Sequence, residues 1–266
     1  MRYTVLTLFP EITDAFFASS IMAKAIKRGI IEYRAVNIRD FARDRHKTCD
    51  DAPYGGGPGM LMLAEPLGLA LEAALGAAQG EGRGRPRVVC LSPSGRPFDQ
   101  SVAKELAGQA ELVLLCGRYE GIDQRVIDLY VDEEISVGDY VLSSGEVAAL
   151  AVIDSTYRLI DRVISGQSLE EESFSGGLLE YPQYTRPEVY ANMKVPEVLL
   201  SGHHERIRKW RLEKRIEKTL CRRPDLISRG REGGLFDEEI NRIIDGLAAN
   251  STRFGGGLDF QGEENE

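Results

Sequence analysis

Two short apolar runs constrain the chain most: residues 88–91 (Val-Val-Cys-Leu) and 112–116 (Leu-Val-Leu-Leu-Cys). A strand that is apolar at every position, not at every second one, must be covered on both faces. Residues 99–107, between the two runs, have helical composition. Strand, crossover and strand at this spacing predict a parallel sheet layered by helices. The alternation extends to either side. A β-branched run covers 4–8, a helical stretch covers 16–28 and stops at Gly29, and a strand covers 31–38. Residues 67–78 and 145–160 read as helices, the second opened by Ser143-Ser144-Gly145-Glu146, which has the form of a capping box.

Residues 161–177 change texture to Gly, Ser and Glu and read as a linker. Beyond them the sequence is helical. Thr185-Arg186-Pro187-Glu188 reads as another capping box, and Pro196-Glu197 opens a short helix closed by Gly202. Asp237 precedes Ile240, Ile243, Ile244 and Leu247, the spacing of a buried stripe. The expected organisation is an α/β domain over 1–160, a linker over 161–177, a small all-α domain over 178–250 and a solvated acidic tail over 251–266. A length of 266 residues accommodates this. No apolar run reaches bilayer length. Cys49, Cys90, Cys116 and Cys221 lie far apart with no CxxC pair, which argues against a zinc or disulfide framework and suits a reducing cytosol.

The net charge is -9, which by itself speaks against a nucleic-acid binder. Residues 206–231 nevertheless carry eleven Lys/Arg against Glu213, Glu217 and Asp225, a local net of +8. Local field, not total charge, governs polyanion capture. Within this segment Arg208, Arg211, Arg215, Lys218 and Arg222 fall at +3, +4, +3, +4, along one helix face, while Leu212, Ile216 and Leu220 occupy another. Such a face is either merely solvated or a phosphate-backbone binder.

Three glycine-bearing stretches follow expected strands. They are Leu91-Ser92-Pro93-Ser94-Gly95, Cys116-Gly117-Arg118-Tyr119-Glu120-Gly121, and the stretch from Ser136-Val137-Gly138 to Gly145. In open α/β sheets ligands sit beyond the carboxyl ends of strands, so three such loops predict a cofactor crevice. Neither GxGxxG nor a P-loop is present. Pro53-Tyr54-Gly55-Gly56-Gly57-Pro58-Gly59-Met60 cannot be helix or strand interior and is either a rigid turn or a binding loop. Glu170-Glu171-Glu172, taken alone, is a solvated acidic turn, and Arg158, taken alone, is a surface ion-pair partner.

Read together, these stretches resemble the bacterial tRNA (guanine-N1)-methyltransferase family, TrmD, of the SPOUT class. The matching residues include Leu8-Phe9-Pro10-Glu11, Arg45-His46-Lys47-Thr48, Asp50 to Met62, Leu91-Ser92-Pro93, Cys116 to Asp123 and Gly138 to Leu142. They continue with Ser173-Phe174, Gly177-Leu178-Leu179, Tyr184 to Glu188, Val198 to Gly202 and Trp210-Arg211-Leu212, all in family order. The resemblance implies a SPOUT-type parallel sheet with a deep trefoil knot, a homodimer, and S-adenosyl-L-methionine held in the knot. It implies a tRNA with G at position 37 as substrate, and a cytoplasmic enzyme. It implies Mg2+ dependence, for which no ligand is assignable.

By the same resemblance Glu172 is the general base, where the family usually has Asp, with Glu171 an adjacent competitor. Arg158 stabilises the guanine. The cofactor set is Leu91, Ser92, Pro93, Gly117, Tyr119, Glu120, Gly121, Ser136, Val137, Gly138, Asp139, Tyr140, Val141, Leu142 and Gly145. Ser144 stands where the family usually has Gly. Asp50 and Gly59 resemble residues that meet the target guanosine, and the charge of the basic face makes Arg208, Arg211 and Arg215 the expected tRNA contacts. The competing expectations are a non-catalytic RNA-binding protein with a degenerate pocket, and a small-molecule α/β enzyme.

Overall fold

The structure is a computed structural model that describes residues 1–164 and 172–253. Glu170, Glu171 and the end of the expected tail lie outside the described residues. The chain divides into two compact units, Met1–Ser165 and Gly166–Glu266.

The first unit is built on a five-stranded sheet of β1 (Arg2–Thr7), β2 (Glu32–Asn37), β5 (Arg87–Pro97), β6 (Glu111–Cys116) and β7 (Glu133–Ser136). The order is β2-β1-β6-β5-β7, and every pairing is parallel. The central strands bury both faces, as their unbroken apolar runs require. Tyr3, Val5, Leu112 and Leu114 pack on one side with α1 (Pro10–Phe17), α2 (Ser20–Lys27), α4 (Gln100–Ala107) and α6 (Gly145–Tyr157). Leu6, Val113 and Leu115 pack on the other with α3 (Ala64–Gly80) and α5 (Gln124–Tyr130). A two-stranded hairpin, β3 (Asp50–Asp51) with β4 (Leu61–Met62), carries the glycine-rich loop.

Several local expectations are corrected. The stretch 16–28 is not one helix: the chain breaks between α1 and α2, where Ser20 takes φ 51°. Strand β5 does not end at Leu91. Its pairing with β7 slips after Leu91 and resumes at Arg96, and Gly95 lies against the β7 backbone, where a Cβ would come within 2.4 Å of Ile135 N. The capping box at α6 does not form. Ser144 makes no side-chain cap bond, and Glu146 turns into the core, 1% exposed, to accept from Thr7 Oγ1.

The second unit holds α7 (Glu197–Leu200), α8 (His204–Arg222), α9 (Pro224–Glu232) and α10 (Glu238–Arg253). Its core is Leu178, Ile216, Ile227, Phe236 and Ile244. Gly230 makes room for the Phe236 ring, which a Cβ there would meet at 2.1 Å. The Asp237 carboxylate accepts from Ile240 N at 2.8 Å and so caps α10, as its place in the sequence predicts. Thr185–Glu188 caps no helix: it leads into a small antiparallel hairpin, β8 (Val189–Tyr190) with β9 (Met193–Lys194). Among the described residues no helix is long and apolar enough to cross a membrane.

Candidate active site

The loops after β5, β6 and β7 and the start of α6 meet beyond the carboxyl ends of those strands and enclose a cavity of about 440 Å³. Volumes of about 300–1,000 Å³ suit small-molecule and cofactor ligands. Its walls contain all of the cofactor residues expected from the sequence except Asp139. Leu91, Ser92 and Pro93 come from the first loop, Gly117, Tyr119, Glu120 and Gly121 from the second, and Ser136, Val137, Gly138, Tyr140, Val141, Leu142 and Gly145 from the third. Arg118 and Ser143, which lie within the second and third glycine-bearing stretches but were not expected as cofactor residues, also line it, as do Gln124 and Glu134. Gln124 and Glu134 carry no glycine or strand-end signature, so only the fold brings them to light.

Backbone dominates this cavity because glycines let the chain approach itself. Gly145 N donates to Gly117 O at 2.8 Å, and a Cβ on Gly145 would lie 2.6 Å from Gly117 N and 2.8 Å from Cys116 Cα. Gly121 and Gly138 take φ +151° and +150°, which side-chain-bearing residues rarely adopt. Behind the wall, burial pushes the Cys90 thiol up to about 12. Cys116 is raised well above its ordinary value by burial first and then by the Glu146 charge. These thiols pack and do not react.

The glycine-rich loop is fastened to the second cavity loop. Glu120 N donates to Met60 O at 3.0 Å, Met62 N to Gly121 O at 2.9 Å and Asp123 N to Met62 O at 3.3 Å. Gly59, at φ +82°, leaves space that Glu120 fills: a Cβ there would meet Glu120 Cγ at 2.2 Å. Asp50 lies at the start of the hairpin, beside the Tyr119 hydroxyl, whose pKa is raised by burial and then by that carboxylate. Asp50, Gly59, Tyr119 and Glu120 therefore meet at one edge of the cavity, whereas the sequence separates them by about 70 residues.

Arg158 is the half-buried C-cap of α6 in the first unit. Glu172, in the second unit, accepts at its backbone carbonyl from Ser175 N at 3.0 Å. The basic face of α8 is not simply solvated, because the fold brings acids and carbonyls to it. Arg208 pairs with Glu205 at 2.9 Å and Glu239 at 3.3 Å. Arg211 lies 4.7 Å over the Tyr181 ring, and Arg215 donates to Leu179 O and Ser175 O. Among the described residues no three His, Cys, Asp or Glu side chains cluster as a metal site.

Comparison with known proteins adds to this geometry. Residues 1–229 match the family described as tRNA (Guanine-1)-methyltransferase TrmD. A tRNA (guanine-N(1)-)-methyltransferase of Treponema denticola is 62% identical over 92% of this chain and 98% of its own length. Proteins of the same name from Treponema pallidum and Borrelia duttonii are each 55% identical, over 92% and 90% of this chain and 95% and 100% of their own lengths. With the family model matched over residues 1–229 and these relatives at 55–62% identity, the chain belongs to the TrmD family of tRNA (guanine-1)-methyltransferases.

Proposed function

We propose that the protein transfers a methyl group from S-adenosyl-L-methionine to N1 of the guanosine at position 37 of tRNA. The observation that carries this reading is the cavity walled by Gly117, Gly121, Gly138 and Gly145 in a chain similar over 92% of its length to a tRNA (guanine-N(1)-)-methyltransferase. Its size and its exposed backbone groups fit an adenosine-sized ligand with a polar amino-acid tail. When bound, S-adenosylmethionine supplies a methyl already activated as a sulfonium.

The chain's own residues then do the rest. Guanine N1 carries a proton near neutral pH and is a poor nucleophile until that proton leaves. In this reading the Glu172 carboxylate takes it, a step with typical gains of about 10²–10⁴-fold. Negative charge moves onto O6 as N1 is stripped, and the Arg158 guanidinium stabilises it. Asp50 and Gly59 hold the guanosine, which leaves its stack at a cost of about a few kcal/mol. In the same reading the first unit is the knotted catalytic domain. The second is a helical domain that holds tRNA through Arg208, Arg211 and Arg215. The working form is a cytoplasmic homodimer with tRNA across both subunits. Mg2+ has no assigned ligand.

The test uses labelled S-adenosylmethionine and tRNA transcripts with G or A at position 37. Label is expected on the G transcript alone, and equal labelling of both overturns the site assignment. Glu172→Gln is expected to lower kcat about 10²–10⁴-fold while calorimetry still detects the cofactor. Full activity of that variant transfers the role of base to another group, Glu171 first.

A further inference from the structure

One constellation beside the cavity has no part in the chemistry above. Phe9 ends the link from β1 to α1, and its backbone N–H is fixed on Thr7 Oγ1 at 2.9 Å. Two guanidinium groups from distant segments flank its ring. Arg118 lies 4.8 Å from the ring centroid and Arg39 6.0 Å. Neither makes an ion pair among the described residues; Arg39 donates to Lys47 O at 3.4 Å and hydrogen-bonds the Tyr119 hydroxyl. Both are half-buried, so packing holds them and they do not sweep through solvent.

Two like charges against one ring repel each other, and their juxtaposition costs free energy unless an anion relieves it. Guanidinium pairs are the arrangement that grips phosphate oxygens. The acids nearby point to the same ligand. Asp50 and Arg39 both hydrogen-bond the Tyr119 hydroxyl, and Glu120 is folded over Gly59. A carboxylate suits the donor edge of guanine and guanidinium groups suit a phosphodiester, so both ends of one nucleotide find partners within this edge of the cavity. Arg118 lines the cavity but Phe9 and Arg39 do not, which sets the paired charges at its rim and not within it.

We propose that Arg39 and Arg118, braced on Phe9, form a phosphate subsite that holds the RNA backbone next to the extruded guanosine. The subsite rests on the tRNA-methyltransferase reading and specifies where that enzyme grips its substrate. Two sources could supply the anion: the phosphodiester, or the carboxylate of the cofactor's amino-acid tail. Arg39, outside the cavity, is the residue that separates them.

The experiment uses the full-length protein. Wild-type methyl transfer to the G37 transcript is measured first, and its absence removes the underlying reading before the subsite is at issue. Given wild-type activity, Arg39→Gln is expected to raise the KM for tRNA about tenfold and to lower the salt slope of tRNA binding by about 0.7–0.9, one phosphate contact. S-adenosylmethionine affinity without tRNA should stay unchanged in calorimetry. Arg39→Lys, which keeps the charge, should keep the slope. An unchanged KM and slope in Arg39→Gln overturns the proposal. So does a loss of cofactor affinity equal to the loss in KM, which assigns the anion to the cofactor carboxylate. A merely structural role for Arg39 leaves the salt slope where it was.

Discussion

At Gly145 the wall of the cavity packs backbone against backbone. A methyl group there meets backbone on the opposite side, Gly117 N and Cys116 Cα, and neither can rotate away. Overpacking of this kind costs about 1–3 kcal/mol, so Gly145→Ala is expected to weaken S-adenosylmethionine binding about 10- to 100-fold. Calorimetry reads the affinity and a thermal melt reads the fold. Binding at wild-type strength would show that the wall yields. The sequence pointed to this glycine only through its position after a strand, and gave no hint of what it touches. Glu146, its neighbour, shows the reverse case. A Glu placed behind Ser143 and Ser144 suggests a surface cap, yet Thr7, 139 residues earlier, draws it into the core.

Among the elements, α4 starts within a residue of the expected 99–107, and the energetics of its first turn follow. Asp99 accepts from Ser101 N at 2.9 Å and Val102 N at 3.0 Å. The Ser101 hydroxyl and then these amides hold its carboxyl below the ordinary aspartate value. A folded-state pKa below the unfolded one means the carboxylate stabilises the fold above the unfolded pKa, and that the contribution is lost as pH falls through the folded pKa. Asp99→Ala is therefore expected to cost about 1 kcal/mol near neutrality, with the gap from wild type closing below about pH 4. Urea titrations at pH 7 and pH 3 check this, and a gap that widens in acid contradicts it. The parallel strands were legible because apolar residues at every position leave no other home for 88–91 and 112–116. The break between α1 and α2 and the hairpin at 189–194 were not, since composition at those points favours the helix that the fold declines to make. The meeting of Arg39, Arg118 and Phe9 was beyond reach for a different reason: Phe9 and Arg118 lie in stretches the sequence marked, but nothing local shows that three segments converge.

On the scale of the whole molecule, an acidic protein carries a strongly basic segment, and the two should separate in a salt titration. Arg206, on α8, is exposed, and Lys218, on the same helix, is half-buried. Replacing both with Ala is expected to lower the slope of log affinity for tRNA against log salt by up to about two, with S-adenosylmethionine binding untouched. An unaltered slope would remove this segment from the tRNA footprint. The hydrogen-bonded seam between Met60–Met62 and Glu120–Asp123 has a consequence for ligands of any kind. In the function proposed above, the seat of the methyl donor and the loop that meets the acceptor base share a single backbone ladder. On that reading, a small molecule that wedges the donor pocket open is expected to pull the acceptor loop with it and to silence methyl transfer to RNA without occupying the RNA site.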